Sequence, residues 1–321
     1  MRLLVTGGAG FIGSNYVRWV LRERPDVEVT NYDLLTYAGN LENLRDIEEG
    51  ARYRFVKGDI CDTALLDEVL PGHDAIVNFA AESHVDRSID WAAEFVRTNM
   101  LGTNALLDAT RRHGTPRYLQ VSTDETYGSI DVGSFREDDR LDPSSPYSAS
   151  KAGGDMLVRA YHRTYGMPVL VTRGSNTFGP YQYPEKVIPL FVTNLLEDAP
   201  VPLYGDGLNV RDWIHVEDHV SGIHAVLEKG EVGQIYNVAA GNELTNLELS
   251  KTLCDLLGKP HDLITPVADR PGHDRRYSVD TARIRALGWA PAWSLDDALR
   301  STVEWYSSNR WWWEPIRARQ E

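Results

Sequence analysis

A glycine-rich run between two regular segments constrains the fold of this chain more than any other feature. Residues Arg2–Thr6 predict a short apolar β-strand, and Phe11–Glu23 has the apolar spacing of an α-helix. Between them lies Gly7-Gly8-Ala9-Gly10-Phe11-Ile12-Gly13. Glycines in this position permit a tight turn and let backbone N–H groups approach a pyrophosphate at the helix N-terminus. The order strand, glycines, helix therefore indicates a dinucleotide-binding unit.

An acidic residue at the end of the next predicted strand refines this interpretation. The segment Glu28–Tyr32 predicts a second strand and leads directly into Asp33. A carboxylate at this point accepts hydrogen bonds from an adenosine ribose 2′-hydroxyl and repels a 2′-phosphate, so it favours NAD over NADP. The alternative is that the glycines serve packing and that Asp33 caps a helix.

Short apolar segments continue to alternate with long helical ones. Strands are predicted at Arg52–Lys57, Ala75–Phe79, Arg117–Val121 and Val169–Arg173, and one long helix at Ser88–Arg112. This alternation is typical of βαβ units and a parallel sheet. We therefore predict an α/β protein built on a Rossmann-type, doubly wound parallel sheet.

The regular alternation ends after the strand at Val169–Arg173, where glycine, proline and aromatic residues become frequent. This composition predicts a smaller, loop-rich, mixed α/β lobe, in which Val220–Leu227 and Leu247–Leu257 have helical spacing. We expect residues 1–174 to form the NAD-binding domain. Residues 175–321 should form mainly the substrate lobe, with some segments returning to the Rossmann core.

Composition excludes several classes of partner. The chain has 33 basic and 47 acidic residues and a net charge of −14, which disfavours nucleic acid and anionic membranes as partners. Cys61 and Cys254 lack metal-ligand spacing, and we expect no metal. No apolar run approaches the ~18 residues of a membrane span, and the segment after Met1 reaches glycine too early for a signal peptide. We expect a soluble, cytoplasmic protein.

The segment Ser122-Thr123-Asp124-Glu125 carries the first candidate catalytic groups. It follows the predicted strand Arg117–Val121, and ligands of open parallel sheets bind at the carboxyl ends of the strands. Two adjacent carboxyl groups at such a place are suited to moving protons. The alternative is a polar turn whose side chains bond local backbone.

Tyr147 and Lys151 are the second candidate pair. They open a predicted helix after Ser144-Ser145-Pro146, which offers N-cap residues and a helix-initiating proline. Residues four apart share a helix face, so both side chains can reach one site. An ammonium near a phenol lowers the phenol's pKa, and we expect Lys151 to make Tyr147 a usable base.

Other residues leave two interpretations open. Arg211 and Arg270 are candidates for a diphosphate, because guanidinium groups bind phosphate bidentately, or they form surface salt bridges. Asp59 contacts adenine or caps the helix that begins near Thr63. His84 and Trp311-Trp312-Trp313 are more typical of packing or capping than of catalysis.

These residues together resemble the extended short-chain dehydrogenase/reductase family over essentially the whole chain. The resemblance depends on residues 6–13, Asp33, and Tyr147 with Lys151. Within that family the chain is similar to the dTDP-glucose 4,6-dehydratases in residues 80–88, 122–125, 179–182 and 209–213. It departs from their pattern at Ser175, Thr177 and Phe178 but retains Asn176.

The resemblance implies dehydration of dTDP-glucose to a 4-keto-6-deoxy sugar, with NAD oxidising C4 and later reducing C6. Tyr147 and Lys151 would serve C4 oxidation, Thr123 would bond the C4 oxygen, Glu125 would deprotonate C5, and Asp124 would protonate the C6 hydroxyl that leaves. The implied cofactor contacts are Gly7, Gly10, Phe11, Ile12, Gly13, Asp33, Thr36, Asp59, Ile60, Ala80, Thr98, Tyr147 and Lys151. The implied substrate contacts are Ser83, Thr123, Asn176, Lys186, Pro202, Tyr204, Arg211, Asn246, Arg270 and His273.

The resemblance also implies a homodimer built on two helices of each subunit, within Ser88–Arg112 and Tyr147–Tyr165. Two other functions remain open at this point. An NAD-dependent nucleotide-sugar 4-epimerase would use Tyr147 and Lys151 but would give Asp124 and Glu125 no task. A non-catalytic regulator that senses NAD would need neither pair.

Overall fold

A computed structural model describes residues 1–47 and 50–319. Its strands are β1 (Arg2–Thr6), β2 (Glu28–Asp33), β3 (Tyr53–Lys57), β4 (Ala75–Asn78), β5 (Tyr118–Thr123), β6 (Val169–Gly174), β7 (Asn176–Phe178), β8 (Val201–Tyr204), β9 (Val210–His215), β10 (Ile235–Val238), β11 (Glu243–Thr245) and β12 (Ile264–Val267). Its α-helices are α1 (Phe11–Glu23), α2 (Thr63–Val69), α3 (Val85–Asp90), α4 (Ala92–Val96), α5 (Thr103–His113), α6 (Pro146–Tyr165), α7 (Val187–Leu196), α8 (Val216–Lys229), α9 (Asn246–Leu257), α10 (Ala282–Arg285), α11 (Leu295–Ser308) and α12 (Arg310–Arg317).

The central sheet confirms the predicted fold class. In the described part of the chain its seven strands have the order β10-β6-β5-β4-β1-β2-β3, and every neighbouring pair is parallel. The chain moves outward in one direction from β1 to β3 and in the other from β4 to β10. The strand order therefore reverses between β1 and β4, and ligands bind at such switch points.

Apolar side chains cover both faces of the sheet. On one face Val17 and Val20 of α1 pack with Val220 and Ile223 of α8. The opposite face is covered by α2, α5 and α6, whose buried residues include Leu66, Leu106, Leu107 and Val158. Both α8 and β10 come from the second half of the chain, so this half contributes to the Rossmann core.

The second half also forms a separate lobe with its own core. Two small sheets, β11-β9-β7 and β12-β8, lie beside α7, α9 and α11. Trp312 and Trp313 are 3% and 0% exposed within this core, as a packing role predicts, whereas Trp311 is 49% exposed. The indole Nε1 of Trp312 donates to Asn43 Oδ1 (2.8 Å), and Asn43 Nδ2 donates to Ala9 O (2.9 Å) in the glycine-rich loop.

The single helix predicted at Ser88–Arg112 is wrong. Helix α3 ends at Asp90, and the next residue, Trp91, has non-helical dihedrals (φ −129°, ψ 49°). A π-helical segment, Arg97–Gly102, separates α4 from α5. The side chain of Asn99 in this segment accepts a hydrogen bond from Glu82 N and donates one to Glu82 O. Its Nδ2 also donates to Ser150 Oγ (2.8 Å). The apolar spacing of the sequence does not record such an interruption, which is frequent at functional sites.

None of the helices among the described residues combines the length and the apolar character needed to cross a membrane.

Candidate active site

One cleft at the carboxyl ends of β1, β4, β5 and β6 brings together most of the predicted site residues. The predicted residues that line it are Gly7, Gly10, Phe11, Ile12, Gly13, Asp33, Thr36, Asp59, Ile60, Ala80, Ser83, Thr98, Thr123, Asp124, Glu125, Tyr147, Lys151, Asn176 and Lys186. Pro202, Tyr204, Arg211, Asn246, Arg270 and His273 do not line this cleft; they belong to the second lobe.

The glycines from the end of β1 into the first turn of α1 have different roles. Gly7 has a positive φ of 69°, and a Cβ on Gly13 would lie 2.2 Å from Gly7 O, so both are required by the turn itself. A Cβ on Gly10 would meet only Gly7 O, at 3.4 Å. Among the described residues no side chain caps the N-terminus of α1. Free N–H groups and the bare Gly10 leave room for a phosphate, so this loop fits a dinucleotide.

Asp33 organises the same loop. Its Oδ2 accepts from Ala9 N (2.9 Å) and its Oδ1 from Leu35 N (2.7 Å). Neither bond caps a helix, because neither N–H group lies in the first turn of one. Burial raises the pKa of Asp33, and these two hydrogen bonds oppose the rise. Each oxygen keeps a lone pair for a further donor, and the carboxylate lines the cleft.

The structure separates the two interpretations of Asp59. Asp62 caps α2 by accepting from Leu65 N (3.1 Å), so Asp59 is not that helix's cap. Asp59 instead accepts from Cys61 N (2.8 Å) and pairs with Arg97 (2.6 Å) at the edge of the cleft. Burial raises the pKa of Asp59, but these two partners outweigh burial and hold it below its usual value. His84, as expected for a capping residue, accepts from Arg87 N at the start of α3.

Asp124 and Glu125 follow β5 in a 3₁₀ turn but have different surroundings. Asp124 is 3% exposed, and its Oδ2 has no hydrogen-bond partner among the described residues. Burial raises the pKa of Asp124 well above its usual value, and the negative charges of Glu125 and Asp212 raise it further. Burial also raises the pKa of Glu125, but Arg270, Arg211 and Lys186 oppose that rise. Both pKa values are raised, that of Asp124 more than that of Glu125, so Asp124 is the better acid of the two and Glu125 the better base.

Tyr147 and Lys151 lie on α6, whose start is fixed by Pro146 and a capping box between Ser145 and Ser148. Lys151 Nζ donates to Val121 O (2.8 Å), and burial lowers the pKa of Lys151 to about 8. The expected lowering of the phenol's pKa by Lys151 is wrong for the chain alone. Burial first, and then Glu125, raises the pKa of Tyr147, while a hydrogen bond with Thr123 lowers it. The ammonium is directed at β5 instead of at the phenol.

Contacts beside the cleft connect the two lobes. Lys186 Nζ donates to Ser83 O (2.7 Å), and burial lowers the pKa of Lys186. Arg270 pairs with Asp86 (2.9 Å), and the hydroxyl of Tyr204 also donates to Asp86 (3.4 Å). The ring of His273 packs edge-on against Tyr204, with centroids 6.2 Å apart.

Arg211 is not a surface residue. It is 5% exposed, donates to Asp274 O (2.8 Å) and lies 4.1 Å above the ring of Tyr277. Asn246, at the start of α9, donates its N–H to Asn209 O (3.0 Å), and Pro202 lies two residues before Tyr204 in β8. Arg211 and Arg270 both oppose the rise in the pKa of Glu125, so their charges lie near this cleft residue although neither lines the cleft.

Several cleft residues were not predicted from the sequence. They include Tyr183, Glu185 and His219. The first two belong to the irregular segment after β7, where spacing carries no signal. His219 belongs to α8, whose apolar spacing predicts only a packed helix.

Buried polar atoms without partners indicate that the cleft receives a polar ligand. Among the described residues these atoms include Ser122 Oγ, Asp124 Oδ2, Ser175 Oγ and Asn176 Oδ1. Leaving such groups unsatisfied costs about 1–3 kcal/mol each. No group of three or more His, Cys, Asp or Glu in the described ranges is placed to hold a metal ion.

A doubly wound sheet with a glycine cradle, a Tyr-Lys pair on one helix and acids at a strand end defines the short-chain dehydrogenase/reductase class. The family model described as GDP-mannose 4,6 dehydratase matches residues 4–302, and the chain belongs to this family.

Known proteins similar to the chain agree with this assignment. It is 53% identical to a dTDP-glucose 4,6-dehydratase from Streptomyces niveus, over 100% of this chain and 97% of that protein. The crystal structure of the dTDP-glucose 4,6-dehydratase DesIV from Streptomyces venezuelae, with NAD bound, has a TM-score of 0.97 and 56% identity, covering 98% of this chain and 100% of that one. UDP-glucose 4-epimerase from Thermotoga maritima has a TM-score of 0.90 and 29% identity, with 97% and 100% covered.

Proposed function

We propose that this protein is a hydro-lyase that converts dTDP-glucose into dTDP-4-keto-6-deoxyglucose with a tightly bound NAD. The observation that carries the proposal is the pair Asp124 and Glu125 beside Tyr147, because an elimination of water needs one acid and one base. Burial raises the pKa of both carboxyl groups, but nearby cations oppose the rise at Glu125 more strongly, which makes Asp124 the better acid and Glu125 the better base. The names of the similar proteins support the substrate and the cofactor.

Residues 1–174 would bind NAD, and residues 175–321 mainly the nucleotide sugar. The uncapped N-terminus of α1 and the bare Gly10 support a pyrophosphate there, and Asp33 supports an adenosine ribose. Ile60, Ala80 and Thr98 line the cleft farther on. When bound, NAD supplies the oxidation at C4 of the sugar and the later reduction at C6.

Tyr147 and Thr123 would act on the C4 oxygen. The phenolate form of Tyr147 would take the proton of the C4 hydroxyl, and Thr123 would donate a hydrogen bond to the same oxygen. The hydrogen bond between Thr123 and Tyr147, which lowers the pKa of Tyr147, supports the action of both side chains on one atom. Lys151, held by Val121 O, keeps a positive charge at the wall of the cleft on α6.

Asp124 and Glu125 would then remove water from C5 and C6. A ketone at C4 makes the C5 proton acidic, and Glu125 takes this proton. Asp124, neutral because of its burial, gives its proton to the C6 hydroxyl as it leaves. Glu125 later returns a proton to C5.

Cationic residues of the second lobe would bind the diphosphate. The charges of Arg211 and Arg270 oppose the rise in the pKa of Glu125, and Lys186 Nζ donates to Ser83 O in the cleft. Asn176, Asn246, Tyr204, Pro202 and His273 would contact the sugar and the nucleotide. Arg270 would leave Asp86 when the diphosphate binds.

The protein would act as a cytoplasmic homodimer. Large apolar side chains are exposed along the helices from α3 to α6, among them Trp91 (60%), Leu101 (62%) and Met156 (57%). Exposed apolar residues concentrated on neighbouring helices are typical of a subunit interface. The net charge of −14 favours a small-molecule substrate over nucleic acid or anionic membranes.

The decisive experiment is incubation of the purified protein with dTDP-glucose and no added cofactor, followed by mass spectrometry and proton NMR. Loss of one water with a new C6 methyl signal is the expected result. Conversion at constant mass would identify an epimerase instead. No conversion, even with NAD supplied, would exclude dTDP-glucose as the substrate.

A further inference from the structure

His219 is a buried cleft residue to which the steps above give no task. Its side chain is 2% exposed, and within the described residues its Nε2 has no hydrogen-bond partner. The Nε2 edge faces the end of β6, where a Cβ on Gly174 would lie 2.4 Å from Nε2. Only a glycine at this point leaves space for the ring, and both residues line the cleft.

The hydroxyl of Thr177 determines which ring nitrogen of His219 carries the proton. Thr177 Oγ1 lies 2.7 Å from His219 Nδ1 and 3.1 Å from Ser175 O. The carbonyl can only accept, so the hydroxyl proton is directed at Ser175 O. Both contacts are then hydrogen bonds only if Nδ1–H donates to Thr177. The Nε2 of His219 is consequently an acceptor.

The imidazole is also uncharged at neutral pH. Burial lowers the pKa of His219 to about 4, so the ring carries one proton, on Nδ1. A buried acceptor without a donor is unfavourable by about 1–3 kcal/mol. A ligand that brings an N–H group to this point would satisfy it.

The direction of the cleft identifies the part of the ligand that reaches this point. Asp33 at the end of β2 marks the adenosine end, and the cleft runs from there past β1 and β4 to β5 and β6. Gly174 is the register partner of Thr123, so His219 lies at the inner end, beside the reacting groups. The cationic residues for the nucleotide sugar approach from the other lobe.

We propose that His219 Nε2 accepts a hydrogen bond from the carboxamide N–H of the nicotinamide of NAD and thereby fixes the orientation of the ring. The inference rests on the proposed function, because it assumes that NAD is the cofactor. His219 is in this view a positioning residue, and Thr177 and Gly174 set its proton and its place.

The test compares NAD with 3-acetylpyridine adenine dinucleotide, whose acetyl group keeps the carbonyl but lacks the N–H donor. The NAD-loaded protein is equilibrated with an equal excess of both dinucleotides, and the bound ratio is read by mass spectrometry after separation. The wild type should prefer NAD about five- to tenfold, the effect of one hydrogen bond to a buried group. His219→Leu should bind both dinucleotides equally.

Substitutions of Thr177 provide matched controls. Thr177→Ser keeps the hydroxyl and should keep the preference, whereas Thr177→Val should reduce it. Thr177→Val also tests the idea if His219→Leu does not fold. An unchanged preference in both His219→Leu and Thr177→Val would overturn the inference, as would an effect confined to the KM for the sugar nucleotide. Wild-type protein that binds neither dinucleotide would overturn the proposed function instead.

Discussion

Arg173 Nε donates to Asp155 Oδ2 at 3.0 Å, and the two side chains are 1% and 0% exposed. This ion pair joins β6 to α6, the helix that carries Tyr147 and Lys151. Arg173 also lies 4.7 Å above the ring of Tyr127, which follows the two acids. The pair therefore holds together the elements on which the candidate catalytic groups stand.

Asp155→Asn should destabilise the protein by about 3–5 kcal/mol, because it leaves the buried Arg173 without its counter-charge. Urea denaturation of the NAD-loaded protein measures this. Replacing both partners, by Asp155→Leu with Arg173→Met, should recover much of the loss. The exposed pair Glu42 and Arg45 is the control, and Glu42→Gln should cost less than about 1 kcal/mol. An Asp155→Asn loss as small as that of Glu42→Gln would contradict the argument.

The variant Asp124→Asn with Glu125→Gln should oxidise C4 yet stop before dehydration. The amides cannot exchange protons at C5 and C6, so water loss should slow at least about 100-fold. Mass spectrometry of quenched reactions would detect a 4-keto sugar nucleotide that keeps its C6 oxygen. Water loss at the wild-type rate would refute the roles assigned to the two acids.

Gly10→Ala should separate cofactor binding from folding. The new methyl group meets only Gly7 O at 3.4 Å, so the free energy of unfolding should change by less than about 1 kcal/mol. The methyl would occupy space proposed for the pyrophosphate, so NAD affinity should fall at least about tenfold. Calorimetric titration with NAD measures this.

Gly13→Ala is the comparison, because its Cβ would lie 2.2 Å from Gly7 O and should destabilise the fold by about 1–3 kcal/mol. Equal NAD affinity of Gly10→Ala and wild type would exclude the proposed cradle.

Leu101→Glu should dissociate the proposed dimer. This side chain is 62% exposed on the π-helical segment, and a carboxylate there would be desolvated in an interface. Sedimentation velocity at micromolar concentration should show dimers for the wild type and monomers for the variant. Val132, 87% exposed on a loop outside these helices, supplies the control Val132→Glu, which should stay dimeric. A monomeric wild type would remove the basis of the proposal.

Protonation of His215 should contribute to the loss of folding stability at acid pH. The ring caps α8 by accepting from Glu217 N, and burial lowers its pKa to about 4, below the ~6.5 of an exposed histidine. The unfolded chain therefore binds this proton first. The contribution to stability is complete above pH ~6.5 and is lost as pH falls toward 4.

His215→Asn keeps a capping acceptor that does not titrate. Between about pH 7.5 and 5 the wild type should lose about 2 kcal/mol relative to this variant. Urea denaturation at both pH values measures the difference, with His261→Asn, an exposed position, as the control. Parallel pH profiles for the wild type and His215→Asn would show that the titration of His215 is not coupled to folding.

The sequence predicted the central sheet and the inner cleft well, because their signals are local. The glycines before α1, the acids after β5 and the Tyr147–Lys151 spacing each lie within one turn and its neighbouring element. The missed features depend on distant contacts. The partner of Arg173, the π-helical turn around Asn99 and the place of His219 beside Gly174 are decided by packing between elements, which local spacing does not encode. The predicted lowering of the pKa of Tyr147 by Lys151 was wrong for the same reason, because the Lys151 ammonium donates its hydrogen bond to Val121 O.

The hydrogen bonds from Trp312 to Asn43 and from Asn43 to Ala9 link the first loop of the chain to a helix that is translated late. Helix α12 leaves the ribosome after every other helix and strand of the described chain, yet it completes the support of the first loop. The glycine turn thus remains without its last support until translation has passed Trp312. Capture of the dinucleotide by a nascent chain would then follow synthesis of the second lobe, although the residues proposed to bind it are made first.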